Sequence, residues 1–198
     1  ADVDDLAARK GDIEQARKLG FVQGTPESLL MVEYAGETEA EVRAQVEKLE
    51  ELRRREKIGY AATQAFKPEE VKAIWGVRKA GLGLLLGTKG DKKPIAFVED
   101  TAVSPEKLPE FIRRFREVVA RHDTVAGYYG HCSVGCMHIR PLINLKDESE
   151  RGKMVSIANA ISDLVLEFNG SMSGEHGDGL ARSHFNDKLF GPALYDAF

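Results

Sequence analysis

The stretch that decides the fold is Val125 to Leu145, VAGYYGHCSVGCMHIRPLINL. It reads as two apolar strands, Val125 to His131 and Gly135 to Leu145, joined across a short glycine-flanked turn. Adjacent strands joined so closely pair antiparallel, because a parallel pair needs a long crossover. Helix and strand patterns otherwise alternate along the chain, which by itself is compatible with a doubly wound parallel sheet. The hairpin tips the reading to α+β: a mainly antiparallel sheet with helices packed on one face, close to a ferredoxin-like split βαβ arrangement.

Working outward, Pro94 to Asp100 reads as a third strand and Pro105 to Arg121 as a long helix before the hairpin. After it, Ser149 to Phe168 sets Ile157, Ile161, Val165 and Phe168 on one helical face. Thr38 to Lys57 is amphipathic, with Val42, Val46, Leu49 and Leu52 on a stripe, and Lys67-Pro68-Glu69-Glu70 opens another helix. That helix carries Trp75 and Arg78 and runs into the glycine-rich stretch from Gly81 to Gly90. Ser28 to Tyr34 and Gly59 to Phe66 read as strands, residues 3–18 as a helix, and two short helical pieces close the chain.

The chain has 198 residues, enough for a single domain, with 42% hydrophobic and 30% charged residues and a formal charge of −4. Nothing basic and extended enough for nucleic acid is present, and Arg53-Arg54-Arg55 with Lys57 reads as a solvated helix end. Leu82 to Leu86 is too short to span a bilayer, and the start of the sequence has no leader pattern. Cys132 and Cys136 do not make a disulfide framework; they read as small residues on one strand face in a reducing, cytoplasmic setting.

Chemistry concentrates in two places. One is Gly130-His131-Cys132-Ser133-Val134-Gly135-Cys136-Met137-His138, the other Ser173-Gly174-Glu175-His176-Gly177-Asp178-Gly179. His131 and His138 are too far apart to share an ion on one helix, and on one strand they face opposite sides. They meet only if the chain folds back between them. With Glu175 they would form an open two-imidazole, one-carboxylate site for zinc, manganese or iron. A glycine-rich loop made only for turning needs no adjacent carboxylate and imidazole. If Glu175 serves a cation, His176 is free to act as a base.

At these residues the chain resembles the C-terminal cap domain of FAD-linked oxidases of the vanillyl-alcohol oxidase type. The pattern GH-x6-H followed by SGEHGDG is similar to that of D-lactate, glycolate and D-2-hydroxyglutarate dehydrogenases. RPLINLKD and FGPALYDAF resemble bacterial members in which a flavin part is fused to an iron–sulfur part. The resemblance runs from about Ser28 to the end. It implies that His131, His138 and Glu175 hold a divalent metal and that His176 is the base. Arg78, in Trp75-Gly76-Val77-Arg78, falls where the family places an arginine for the substrate carboxylate. Arg182 is a candidate for substrate or cofactor phosphate.

Three departures stand out. Cys136 and Arg140 occupy positions where many relatives carry asparagine, and a lysine often found on the third strand is replaced within Ala96-Phe97-Val98-Glu99-Asp100. Arg140 is therefore a second candidate for the carboxylate. The glycine-rich FAD-binding part and a cysteine cluster for iron–sulfur ligation are not in these 198 residues.

The expectation is a substrate-binding cap, residues 1–198, belonging to a larger flavoenzyme that oxidises a 2-hydroxy acid to a 2-oxo acid by hydride transfer to flavin. Its implied partners are the hydroxy acid, the FAD-binding domain of the same polypeptide, and an electron-transfer protein as a further candidate. A place against the inner membrane is the alternative to a free cytoplasmic one. The competing reading is a non-catalytic metal- or ligand-binding regulatory module. A zinc hydrolase is disfavoured, since no HExxH helix is present.

Overall fold

In the computed structural model of the chain, residues 20–197 are described; the helix expected over residues 3–18 lies outside them. The chain divides into two compact units, at Leu84 and Leu85, and each is taken by itself.

In the first unit, helix α1 (Glu39–Arg55) starts at Thr38, whose hydroxyl accepts the Glu41 backbone N–H. It closes on Arg53, Arg54 and Arg55, cations suited to the negative end of the helix dipole. Helix α2 (Pro68–Leu86) begins on proline, which needs no amide partner there, and continues through Gly81 and Gly83. Neither expected strand of this unit forms: 28–34 and 59–66 have no ladder partner among the described residues. Leu29, Leu30 and Val32 stand exposed. An apolar run becomes a strand only where another backbone offers its amides and carbonyls. Here, side chains tie the coil segments instead: the Tyr60 hydroxyl donates to the Gln23 carbonyl at 2.8 Å and that of Thr63 to Phe21 at 3.0 Å.

The second unit holds the sheet. Its strands are β1 (Lys93–Pro94), β2 (Thr101–Ala102), β3 (Ala126–His131) and β4 (Cys136–Ile143), all paired antiparallel to β4. Strand β3 covers one edge of β4, from Ala126 opposite Pro141 to His131 opposite Cys136. Strands β1 and β2 lie end to end along the other edge.

The expected unbroken third strand is a correction. Pro94 pairs with Leu142 and Thr101 with Met137, so this edge spends seven steps where β4 spends five. The two surplus residues push 96–99 away from β4 as a bulge, between the Ile95 and Asp100 amides that still donate to Pro141 and Met137, and the bulge redirects side chains. Asp100, at φ 75°, turns the chain back into β2.

Helices α3 (Leu108–Arg121) and α4 (Glu148–Glu167) cover one face of the sheet. The first buries Leu108, Phe111, Phe115, Val118 and Val119, the second Ile157, Ile161, Leu164 and Val165, at helical spacing. Met137, Ile139 and Ile143 of β4 join them in one apolar core, where Phe111 meets Phe168 edge-on at 5.4 Å. The architecture is α+β with an antiparallel sheet, as the hairpin implied. Short helices α5 (Gly179–Arg182), α6 (Asn186–Phe190) and α7 (Pro192–Tyr195) finish the chain. No helix among the described residues is long and apolar enough to cross a membrane.

Candidate metal and hydroxy acid site

Alternation on β4 puts Met137, Ile139 and Ile143 into the core, so Cys136, His138 and Arg140 face the other way. Directly paired residues of an antiparallel ladder share a face. The register therefore sets His131 beside Cys136, Tyr129 beside His138 and Gly127 beside Arg140. Between the strands lies a 3-10 turn, Cys132–Val134, closed by Gly135 at φ 70°. A Cβ on Gly135 would overlap the Val103 carbonyl oxygen, so this turn fits only with glycine. Cys132 sits exposed in that turn and Cys136 is buried on β4. The two cysteines do not share a strand face, because four residues of spacing include the turn.

The second motif is laid over this face by an acid that the sequence did not single out. Asp100, fully buried at 0% exposure, accepts the backbone N–H of His176 at 2.8 Å, that of Glu175 at 3.1 Å and the Ser173 hydroxyl at 2.7 Å. Its own carbonyl accepts the Gly174 N–H at 2.7 Å. Burial alone would raise the Asp100 carboxyl, but the His176 amide, the Ser173 hydroxyl and the Glu175 amide together hold it below the usual carboxylate range. Ala102 and Ser171 exchange two backbone bonds that anchor the start of the loop. Four charge-assisted or backbone contacts thus fix where Glu175 and His176 point.

They point together. Glu175 Oε1 lies 2.7 Å from His138 Nε2 and 3.3 Å from His131 Nε2. The rings of His138 and His176 stack at 4.8 Å with 9° between planes, and His176 Nε2 is 3.9 Å from the same carboxylate oxygen. The other nitrogen of His176, Nδ1, is 2.9 Å from Glu99 Oε1, while Glu99 Oε2 accepts from Arg140 Nη2 at 3.1 Å. His138 is 3% exposed; burial lowers its basicity, outweighing the pull of Glu99 and Glu175 toward the charged form. Burial, then the nearby Asp100 and Glu175 carboxylates, push the Cys136 thiol up to about 12.

Among the sequence candidates, His131, His138, Arg140, Glu175 and His176 converge on one face of the sheet. Arg182 stands behind the loop, buried, with its guanidinium donating to the carbonyls of Glu99 at 3.0 Å and Gly177 at 2.5 Å. It holds the loop from inside. Arg78 is carried by α2 in the other unit. Glu99 and Asp100 were missed as site residues, although one signal existed. They end an apolar run, and alternation must turn one of two adjacent acids inward, where it needs partners.

The donor set suits a cation. Three carboxylates (Glu99, Asp100, Glu175) face two guanidinium groups (Arg140, Arg182), which leaves negative charge in excess around the imidazoles. His138 Nδ1 has no hydrogen-bond partner among the described residues and lies 3.7 Å from Glu99 and 4.0 Å from Asp100. At 2.7 Å, His138 Nε2–H donates to Glu175 Oε1, and a cation bound between them would take the place of that proton.

The sequence of the chain matches the family model for FAD linked oxidases, C-terminal domain, over residues 10–198. The chain belongs to that family. It is 34% identical over 174 residues to a D-2-hydroxyglutarate dehydrogenase of Haemophilus influenzae, covering 84% of this chain and 17% of that protein. To a D-2-hydroxyglutarate dehydrogenase of Pseudomonas putida it is 36% identical over 171 residues, with the same coverage. A D-lactate dehydrogenase of Archaeoglobus fulgidus is 27% identical over 66% of this chain and 27% of its own length. The chain spans about a sixth of the D-2-hydroxyglutarate dehydrogenases it matches.

Proposed function

We propose that the chain is the substrate- and metal-binding cap of an FAD-dependent 2-hydroxy acid dehydrogenase. The observation that carries this reading is the convergence of Glu175 Oε1 with His131 and His138, beside a His176 ring held by Glu99. The relatives' names supply the substrate class, a D-2-hydroxy acid such as D-2-hydroxyglutarate or D-lactate. A flavin, when bound, accepts the hydride from the α-carbon, and a divalent cation polarises the substrate hydroxyl.

The chain's own residues divide the remaining work. His131, His138 and Glu175 hold the cation, a set fit for zinc, manganese or iron. His176, half exposed, takes the hydroxyl proton at Nε2; its Nδ1–H donates to Glu99, which fixes the tautomer. Arg140 turns Nη2 to Glu99 and keeps a buried Nε without a partner among the described residues, which makes it a candidate for the substrate carboxylate; Arg78 is a candidate by the family resemblance alone. Asp100 and Arg182 hold the loop. A cytoplasmic enzyme working with an electron-accepting partner fits this chemistry.

The test joins metal analysis to turnover. The purified chain should retain about one divalent ion, lost in His131→Ala. The full-length polypeptide with FAD should oxidise members of a D-2-hydroxy acid panel. Metal uptake without turnover on any acid would favour the regulatory-module reading, and the absence of both metal and turnover would remove the proposal.

A further inference from the structure

Cys136 lies two residues before His138 on the same face of β4, 4% exposed. Its Sγ is 3.9 Å from Glu175 Oε1 and 3.5 Å from Asp100 Oδ1. The space it fills exists because residue 174 is glycine: a Cβ there would stand 2.9 Å from the sulfur. Asp100, Cys136, His138 and Glu175 each bring a donor atom within 4.8 Å of all the others.

These four are not equally free. Asp100 is spent on the amides of Glu175 and His176 and the hydroxyl of Ser173. Glu175 accepts no backbone amide among the described residues and reaches out to two imidazoles. His138 is buried, and its unpartnered nitrogen faces the fixed acids while Nε2 faces Glu175. The donors not tied to backbone amides are therefore His138 Nε2, Glu175 Oε1 and the Cys136 sulfur, with His131 at the rim.

We propose that Cys136 is a further donor to the cation of the His131, His138 and Glu175 site. The site is then a mixed nitrogen, oxygen and sulfur set that selects a thiophilic ion of the zinc class over magnesium or calcium. The inference rests on the metal reading of that site. Metal–sulfur bonds of about 2.3 Å and metal–oxygen bonds of about 2.0–2.2 Å, at roughly tetrahedral angles, separate donors by about 3.5–3.7 Å. The observed 3.9 Å is slightly wider, a difference that a side-chain rotation of Glu175 closes without moving the backbone.

Charge agrees. Two guanidinium groups and a divalent ion balance three carboxylates and one thiolate before an anionic substrate enters. On binding, the S–H bond breaks, its proton leaves to solvent and the sulfur pair bonds the metal; nothing is oxidised or reduced. Thiolate donors favour zinc-class ions, and magnesium and calcium prefer oxygen alone.

Cobalt(II), a visible substitute for zinc, decides the matter on the full 198-residue chain. Wild type, Cys136→Ser, Cys132→Ser and His131→Ala are titrated and followed from the near ultraviolet through the visible. Expected are an intense thiolate-to-cobalt band in wild type and Cys132→Ser, its loss in Cys136→Ser, and displacement of cobalt by zinc but not by magnesium. Cobalt d–d absorption in wild type without the thiolate band overturns the sulfur donor and leaves the histidine and glutamate site standing. A thiolate band lost in Cys132→Ser but kept in Cys136→Ser also overturns it. No cobalt uptake, or uptake indifferent to His131→Ala, removes the site itself and this inference with it. The wild-type spectrum decides even if Cys136→Ser folds poorly.

Discussion

Asp100 and His176 stand 76 positions apart and are joined by a 2.8 Å hydrogen bond from the His176 backbone N–H to the Asp100 carboxylate. The same carboxylate holds Glu175 and Ser173, so one buried acid sets the aim of the loop that carries both candidate chemical groups. Replacing Asp100 by Asn puts an amide donor where donors already converge. Hydrogen bonds to a charged group contribute about 1.5–3 kcal/mol each and are not additive. Asp100→Asn is expected to lower unfolding free energy by about 2–4 kcal/mol, read by urea denaturation. Metal uptake should fall with it, since Glu175 loses its fixed position.

The turn between β3 and β4 gives a paired test of glycine. Gly135 is at φ 70° against the Val103 carbonyl, whereas Gly152 lies within α4 with open space around it. A left-handed conformation costs an alanine roughly 1–2 kcal/mol before any overlap, so Gly135→Ala should lose more than that in a denaturant titration. Gly152→Ala should gain about 0.5–1 kcal/mol, the usual advantage of alanine in a helix. Equal effects at the two positions would contradict the turn geometry.

His176 and Glu99 act as a pair in the proposed reaction, so their variants should be graded. General-base catalysis contributes about 10²–10⁴-fold, and His176→Ala in the full-length enzyme should lose kcat in that range with metal content unchanged. Glu99→Gln keeps an oxygen near Nδ1 but removes the charge that stabilises a protonated ring. Its loss should be smaller than that of His176→Ala, again with metal content unchanged. Equal losses in the two variants would contradict that grading.

Tyr128 supplies a pH test away from the site. Burial pushes its phenol up to about 12, against a smaller opposing effect of Arg116, while the unfolded chain titrates near the ordinary value of 10. Below pH 10 both states keep the proton and nothing is lost. Between about 10 and 12 the unfolded state gives it up first, so stability falls as pH rises. Tyr128→Phe should flatten that part of the decline relative to wild type in thermal melts across the range. Coincident slopes for the two proteins would show that Tyr128 is not the group responsible.

What the amino-acid order determined alone is what depends on near neighbours. The hairpin from Ala126 to Ile143 follows from two apolar runs and a turn whose glycine takes a positive φ, and α3 and α4 follow from apolar residues at helical spacing. The motif residues His131, His138, Glu175 and His176 were legible because glycines on both sides mark backbone built to turn. The strands expected over 28–34 and 59–66 failed for the converse reason: apolar content is local, but a ladder partner is not. The same holds for Glu99 and Asp100. Their place was decided by a two-residue slip between the edge strand and β4 and by amides 74 to 76 positions from Asp100. Only the folded chain brings those amides within reach, because burying a carboxylate is costly until distant donors arrive to satisfy it.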